Sequence, residues 1–252
     1  MKKHLMALLL LVSLLCTVLS GCGDGSAEQT PEDRAQANTI NVGIAQDLDE
    51  SLDPHKTVKA GTREVMFNVF EGLMKPTSNG DLTPAVAESY TVSDDHRTYT
   101  FTLREGVKFH NGDAVTAEDV IYSIQRCIAP AETGIVPVEA FSIITDIQAL
   151  DERTVAITIS EPSNEFISYL TTAILPADYE EQDTAPVGTG PFRFVSRTAQ
   201  DSIVLEKFDE YWGTPANLDK VTFKIIENAD SLLMSLQSGA IDLCAHLTST
   251  QV

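Results

Sequence analysis

The sequence predicts an α+β fold in which strands outnumber helices and do not alternate with them regularly. Alternating apolar and polar residues mark strands at Thr39–Ala45, Thr98–Leu103 and Thr154–Ile159. Apolar residues at helical spacing mark helices that begin near Thr62 and Thr116. Turn-forming residues separate neighbouring strands, so hairpins are expected rather than repeated strand–helix–strand units.

The two clearest helices have start signals. Thr62 is a good N-cap, and an apolar stripe follows it, which predicts a helix over 62–73. Thr116 and Asp119 resemble a capping box, in which the threonine oxygen accepts a backbone N–H and Asp119 reaches back to the Thr116 amide. The other predicted elements are strands at Tyr90–Val92, Val107–Phe109, Ile143–Leu150, Phe192–Val195, Ser202–Phe208, Val221–Ile226 and Ile241–Cys244, a short helix from a Ser163 cap through Leu170, and a helix over Ala229–Gln237.

Residues 1–21 have the pattern of a bacterial signal peptide. Two lysines precede an apolar stretch, Leu5–Leu19, which is too short for a convincing membrane-spanning helix. The stretch ends in Leu-Ser-Gly-Cys22, which resembles the lipobox of bacterial lipoproteins, where the cysteine is lipidated and becomes the first mature residue. An ordinary secretory cleavage site beside an incidental cysteine is the alternative.

Composition limits the classes of function. The chain has 252 residues and a formal net charge of −20, which argues against nucleic-acid binding through a lysine and arginine stripe. Residues 22–38 are polar and lack an apolar period, so they are predicted to form a flexible tether. In the folded part Cys127 and Cys244 remain; a disulfide is possible by composition, and two separate buried thiols are expected.

No metal site is predicted. Asp47, Asp49 and Asp53 are spaced like part of a calcium loop, but Pro54 follows where an EF-hand needs glycine, so the segment is interpreted as a solvated loop. His55, His96, His110 and His246 are scattered along the chain. They form neither a zincin motif nor a pair at metal-ligand spacing.

No catalytic residue and no cofactor are predicted either. The segment 188–193 is glycine-rich, but it lacks the Gly-Lys-Ser/Thr ending of a phosphate-binding loop, and Pro191 removes a backbone donor. The chain also shows no nucleophile elbow and no motif that pairs a cysteine with a histidine.

Nine short motifs occur in the order found in one family of receptors. Together they resemble the N-terminal part of solute-binding proteins of the peptide/nickel class (extracytoplasmic family 5), which serve ABC importers. Most of these residues set turns and helix starts, so they specify a fold more than a ligand. The motifs are Phe70–Leu73, Leu82–Ser89, Val92–Asp95, Tyr99–Gly112, Thr116–Val120, Pro186–Phe192, Tyr211–Gly213, Leu218–Val221 and Leu236–Asp242.

The resemblance implies a lobe of the periplasmic-binding-protein type. Lobe I is expected at 39–240, and 241–252 would begin the crossover to a second lobe that lies beyond this sequence. Ligands in this family are buried between the two lobes, which close by a hinge motion. The acidic residue that pairs with a peptide's amino group in the family also falls in the missing part.

The resemblance also places two loops near the ligand cleft. The candidate ligand residues are therefore Asp47, Leu48, Asp49, Thr189 and Gly190, although a purely structural turn is an equal alternative for the last two. The implied function is a lipoprotein, held on the outer face of a membrane by Cys22, that passes short peptides or a related solute to ABC permease subunits. The alternatives are a nickel-chelate receptor, a sensor of a peptide signal and a secreted carboxylate-dependent hydrolase.

Overall fold

The computed structural model describes residues 38–128, 130 and 132–244, and no helix within them is long and apolar enough to cross a membrane. The strands are β1 Thr39–Ile44, β2 Met74–Pro76, β3 Leu82–Pro84, β4 Ala87–Val92, β5 Thr98–Leu103, β6 Ile144–Asp151, β7 Thr154–Ile159, β8 Phe192–Thr198, β9 Ser202–Lys207, β10 Lys220–Ile225 and β11 Leu243–Cys244. The helices are α1 Ala60–Met66, α2 Ala117–Ile128, α3 Phe166–Tyr169 and α4 Ala229–Gln237, with a 3-10 turn at Glu139–Ile143. The predicted α+β mixture is confirmed.

The larger sheet has five strands in the order β11-β1-β10-β9-β8. Strand β1 runs parallel to both β10 and β11, whereas β8, β9 and β10 are antiparallel. The carboxyl ends of β1, β10 and β11 therefore meet at one edge of the sheet. In open sheets this edge is where loops assemble a binding site, because the connections that follow parallel strands converge there.

The second sheet has four antiparallel strands in the order β4-β5-β7-β6. Strand β5 alternates between half-buried threonines and buried Tyr99, Phe101 and Leu103, as a sheet with one covered face requires. Helix α2 covers that face with Val120 and Ile124, which belong to the same apolar core. The predicted hairpin of β6 and β7 is confirmed.

The first predicted helix is shorter than expected. Helix α1 ends at Met66, although the apolar stripe continues through Val69, Phe70 and Leu73, which are all buried. The segment after α1 leaves the helix because its backbone groups bond to distant segments: the Val69 carbonyl accepts from Gly190 and the Leu73 carbonyl from Ala85, each at 2.9 Å. Tertiary contacts thus override a local helical pattern.

Gly72 shows why this segment must contain a glycine. A Cβ atom there would lie 2.5 Å from the Leu170 carbonyl oxygen, which is closer than real Cβ contacts allow. The Gly72 carbonyl also accepts a hydrogen bond from the Val86 amide at 3.1 Å. Two backbone segments therefore pass too near for any side chain, and a helix could not supply that approach.

Three smaller expectations are corrected. At the start of α2, Asp119 accepts from the Thr116 amide as predicted, but the threonine hydroxyl donates to the same carboxylate instead of accepting from the backbone. The segment 107–109 forms a single bridge, between Lys108 and Ala114, rather than a strand. Helix α3 begins after Glu165, so Ser163 does not cap it.

Candidate functional site

A groove beside α1, here called the apolar groove, has a volume of about 430 Å³. This volume lies in the range of small-molecule binding sites. Phe67 is 59% exposed at its rim and Val136 is 38% exposed, so part of each apolar side chain is open to a ligand. The groove is lined by Pro54, His55, Thr57, Arg63, Met66, Phe67, Phe70, Cys127, Val136, Pro137, Val138, Thr171, Thr172 and Ala173.

A second, polar crevice lies at the carboxyl edge of the larger sheet. Ala45, Gln46 and Asp47 follow β1 there, Glu227 follows β10, and Lys59 completes the lining. The loop between β1 and α1 thus contributes residues to this crevice and, through its later part, to the apolar groove. That shared loop makes one face of the protein the candidate ligand-binding face.

A buried ion pair fixes this loop to the rest of the fold. The Arg126 guanidinium, on α2, contacts both oxygens of Asp53 at 3.0 and 2.6 Å. Their side chains are only 8% and 1% exposed. Arg126 also bonds to both oxygens of Glu132, at 3.2 and 3.0 Å, and to His55 Nδ1 at 3.2 Å. We call these four residues the Arg126 clamp.

The Arg126 clamp sets the walls of the apolar groove through His55. The His55 carbonyl accepts from the Val136 amide at 2.8 Å, and His55 Nε2 lies 2.9 Å from the Ala173 carbonyl. Val136 and Ala173 both line the groove. Since Arg126 can only donate to Nδ1, the ring holds its proton on Nε2 and donates it to Ala173.

Burial and charge determine which groups near the groove are ionised. Burial of the imidazole lowers the pKa of His55, so the ring is neutral at pH 7. Burial opposes the charge on Arg126, but its hydrogen bonds to Asp53 and Glu132 outweigh this and raise the pKa of the guanidinium. Burial raises the pKa of the Cys127 thiol to about 12, which leaves it protonated and unreactive.

A second polar cluster forms around Glu71, in the segment that follows α1. The buried Glu71 carboxylate accepts from Tyr211 Oη and Trp212 Nε1, each at 2.7 Å, and from Lys75 Nζ at 3.0 Å. Lys75 and Arg104 lie over the Trp212 ring, at 4.6 and 4.4 Å from its centre. These contacts explain two of the sequence motifs as structural, because they satisfy a buried charge.

Two of the predicted ligand residues lie at the polar crevice or beneath it. Asp47 lines the crevice, yet its carboxylate already pairs with Arg197 at 2.9 Å and accepts from the Gln200 amide at 2.9 Å. Leu48 is buried in the apolar core below it. As ligand contacts, both residues stay predictions.

Asp49 folds the same loop back on itself. Its carboxylate accepts from the amides of Val58 and Lys59 at 3.2 and 3.0 Å, and its own amide donates to Thr62 Oγ1 at 2.8 Å. The interpretation of 47–53 as a solvated loop is wrong, because each carboxylate in the pattern is bonded within the fold. A role for Asp49 in ligand contact stays a prediction.

Thr189 and Gly190 lie away from the crevice. Thr189 is fully buried, and its hydroxyl oxygen has no hydrogen-bond partner among the residues that the structure describes. Gly190 packs so closely that a Cβ would lie 2.5 Å from the Asn68 carbonyl oxygen, and its own carbonyl lies 3.0 Å from His110 Nε2. The structural-turn alternative accounts for these contacts, and ligand contact stays a prediction.

The structure also bears on the cysteines and the histidines. Cys127 and Cys244 are both free thiols, the first buried and the second half-buried, so the expectation of two unpaired cysteines is confirmed but not that of full burial. Across residues 38–128, 130 and 132–244, no group of three metal-ligating side chains is brought together. Cys22 and His246 lie outside the described residues.

The sequence patterns do not indicate the residues that form the apolar groove. Phe67 falls off the apolar stripe that includes Val65, Met66 and Val69, and an aromatic residue on the polar side of a helix is a usable signal. Val136 had no comparable signal, because only the fold brings its loop to α1. Arg63 likewise looked like an ordinary exposed cation.

The chain belongs to the bacterial extracellular solute-binding proteins of family 5, whose middle-region pattern matches residues 81–252. The resemblance inferred from the nine motifs is therefore confirmed. The relatives described next are named as binding proteins.

Among curated relatives, the dipeptide-binding protein DppE of Bacillus subtilis (strain 168) is 30% identical over 90% of this chain and 47% of its own length. The glutathione-binding protein GsiB of Escherichia coli (strain K12) is 33% identical over 75% of this chain and 38% of its own length. The chain thus spans about half, or less, of the length of these relatives.

Solved structures agree with the sequence relatives. The periplasmic binding protein DppA of Helicobacter pylori, in complex with the peptide STSA, is 29% identical with a TM-score of 0.74, over 81% of this chain and 45% of that chain. AgaA of A. tumefaciens R10, in complex with agropinic acid, is 32% identical with a TM-score of 0.74, over 81% and 43%. The predicted fold, part of a periplasmic-binding-protein architecture, is confirmed.

The Arg126 clamp leads to a stability prediction. Arg126→Gln leaves Asp53 buried without its counter-charge, and the free energy of unfolding should fall by about 3–5 kcal/mol in urea titrations. Arg193→Gln is the matched control, because Arg193 and its partner Glu206 are about half exposed. That control should change the free energy by less than about 1 kcal/mol. Equal losses in the two variants would contradict the clamp's structural role.

Proposed function

We propose that this chain forms the ligand-facing lobe of an extracytoplasmic receptor that binds short peptides, or a related small solute, and delivers them to an ABC importer. The observation that carries the proposal is the apolar groove beside the loop between β1 and α1. Membership of family 5 and the likeness to dipeptide- and peptide-binding proteins support this assignment of the ligand class.

One lobe offers only part of such a site. The groove and the crevice are open to solvent on one side, so a bound solute would keep much of its surface in water. A second lobe, contributed by the rest of a longer protein, would close over the ligand by a hinge motion and exclude that water. We therefore expect this chain alone to bind with dissociation constants of roughly micromolar to millimolar.

The binding face itself can be tested by calorimetry of this chain against a library of di- and oligopeptides. Saturable binding of peptides with apolar side chains is expected, and Phe67→Ser should weaken it several-fold because the rim of the groove loses its largest apolar contact. Tyr90→Ser is the matched control, since Tyr90 is an exposed aromatic residue on β4 of the other sheet.

The outcomes separate the candidate ligand classes. If Phe67→Ser binds peptides with the affinity of the wild type, the groove is not part of the binding site. If no peptide binds but a nickel chelate or another small solute binds saturably, the peptide assignment is overturned and the receptor function stands.

We also infer that lipid on Cys22 anchors the receptor on the outer face of a membrane, beside its permease. The signal-peptide pattern of residues 1–21 and the polar segment 22–38 support this arrangement. A tether of that length raises the effective concentration of the receptor at its importer. Two acyl signals on one cysteine suffice for stable anchoring.

Lipidation can be measured directly in cells that express the chain. Cys22→Ser should abolish incorporation of labelled palmitate and move the protein out of the membrane fraction. Cys16→Ser, inside the apolar stretch, should leave both unchanged. Palmitate that persists in Cys22→Ser would show that the anchor lies elsewhere.

A further inference from the structure

The charge of the apolar groove differs in sign from that of the whole chain. The formal net charge is −20, yet within the described residues no aspartate or glutamate lines the groove. The lining includes one permanently charged side chain, that of Arg63. The His55 imidazole in the lining is neutral, because burial lowers its pKa. The groove therefore combines an apolar surface with one cation.

Local contacts hold Arg63 at the edge of the groove. Arg63 lies within α1, and its Nε and Nη2 donate to the Thr57 carbonyl at 3.4 and 3.2 Å. Thr57 lines the groove as well, so these bonds keep the guanidinium beside it. The Nη1 amino group takes no part in the bonds to Thr57, and a guanidinium offers five donors in a planar fork.

The rest of the lining suits an apolar group of a small ligand. Phe67 and Val136 stand partly exposed on either side, and Phe70 and Met66 are buried beneath. The volume of about 430 Å³ accommodates one side chain of a peptide together with part of its backbone. Exposed apolar side chains that line the same groove give such a group a surface to pack against.

We propose that Arg63 binds a carboxylate of the solute while an apolar group of the same solute occupies the apolar groove. The ligand class is thus a small molecule with an apolar side chain and a free carboxylate, such as a short apolar peptide with an unblocked C-terminus. This inference rests on the proposed receptor function and assigns a specificity-determining residue within it.

The physical reason is that the rest of the protein repels anions. Salt screens the distant acidic residues over about 8–10 Å, whereas a carboxylate in contact with the guanidinium lies well inside that length. Charge-assisted bonds from arginine to a carboxylate are short and often bidentate, so they fix orientation as well as affinity. Arg63 therefore supplies the local attraction that the net charge of the chain does not.

The test compares leucylleucine with its C-terminal amide by calorimetry of this chain. The free carboxylate should bind roughly ten-fold more tightly than the amide, the order expected of one charge-assisted bond at a partly exposed site. Arg63→Gln should erase that preference, and Arg63→Lys should retain part of it. Arg193→Gln, which removes an exposed arginine outside the groove, should retain it in full.

If the chain binds leucylleucine or its amide, either of two results would overturn the inference. One is equal affinity of the wild-type chain for acid and amide, and the other is a preference for the acid that survives in Arg63→Gln. If both forms of the dipeptide are silent while other solutes bind, the inference fails and the receptor function stands. If no solute of any class binds, both fail. Thermal unfolding of each variant, unchanged from the wild type, confirms that a loss of preference reflects the missing guanidinium.

Discussion

The buried pair of Arg126 and Asp53 is the interaction on which the binding face depends. It joins α2 to the loop between β1 and α1, and Arg126 also bonds to His55, whose ring and carbonyl bond to two residues that line the apolar groove, Ala173 and Val136. Burying two charges is costly, so the pair adds little to net stability and serves mainly to hold the loop in one conformation. Removing only one of the two charges would disturb that conformation. We regard the clamp as the device that shapes the groove before a ligand arrives.

The second constraint is the close packing of backbone segments around residues 68–73. Gly72 and Gly190 allow carbonyl groups to approach where a side chain would collide. Amides from several parts of the sequence then satisfy the carbonyls of this segment, so the two sheets are joined through it. Three of the nine motifs, Phe70–Leu73, Leu82–Ser89 and Pro186–Phe192, meet here through backbone bonds, so these three specify the fold.

Local patterns predicted most of the strands, the hairpins and the helix over Ala229–Gln237, because each depends largely on near neighbours in the chain. The strand predicted at 107–109 is a single bridge. The predicted C-terminal end of α1 was wrong, because long-range hydrogen bonds compete with the helix for the same carbonyls. The acidic loop was misjudged for the same reason: Asp47 and Asp53 find arginines 150 and 73 residues away along the chain. Arg63 and Val136 carry no local signal, and only the folded structure shows that they share a groove.

The central claim is that the groove beside α1 is the ligand-contacting face of this lobe. Amide hydrogen exchange of the chain, with and without saturating leucylleucine, tests it most directly. The account predicts slower exchange at amides of residues 57–67, Val136 and Val138, and no change in β4 and β5, which lie in the other sheet. Saturable binding that protects β4 and β5 while residues 57–67 exchange as before would contradict it.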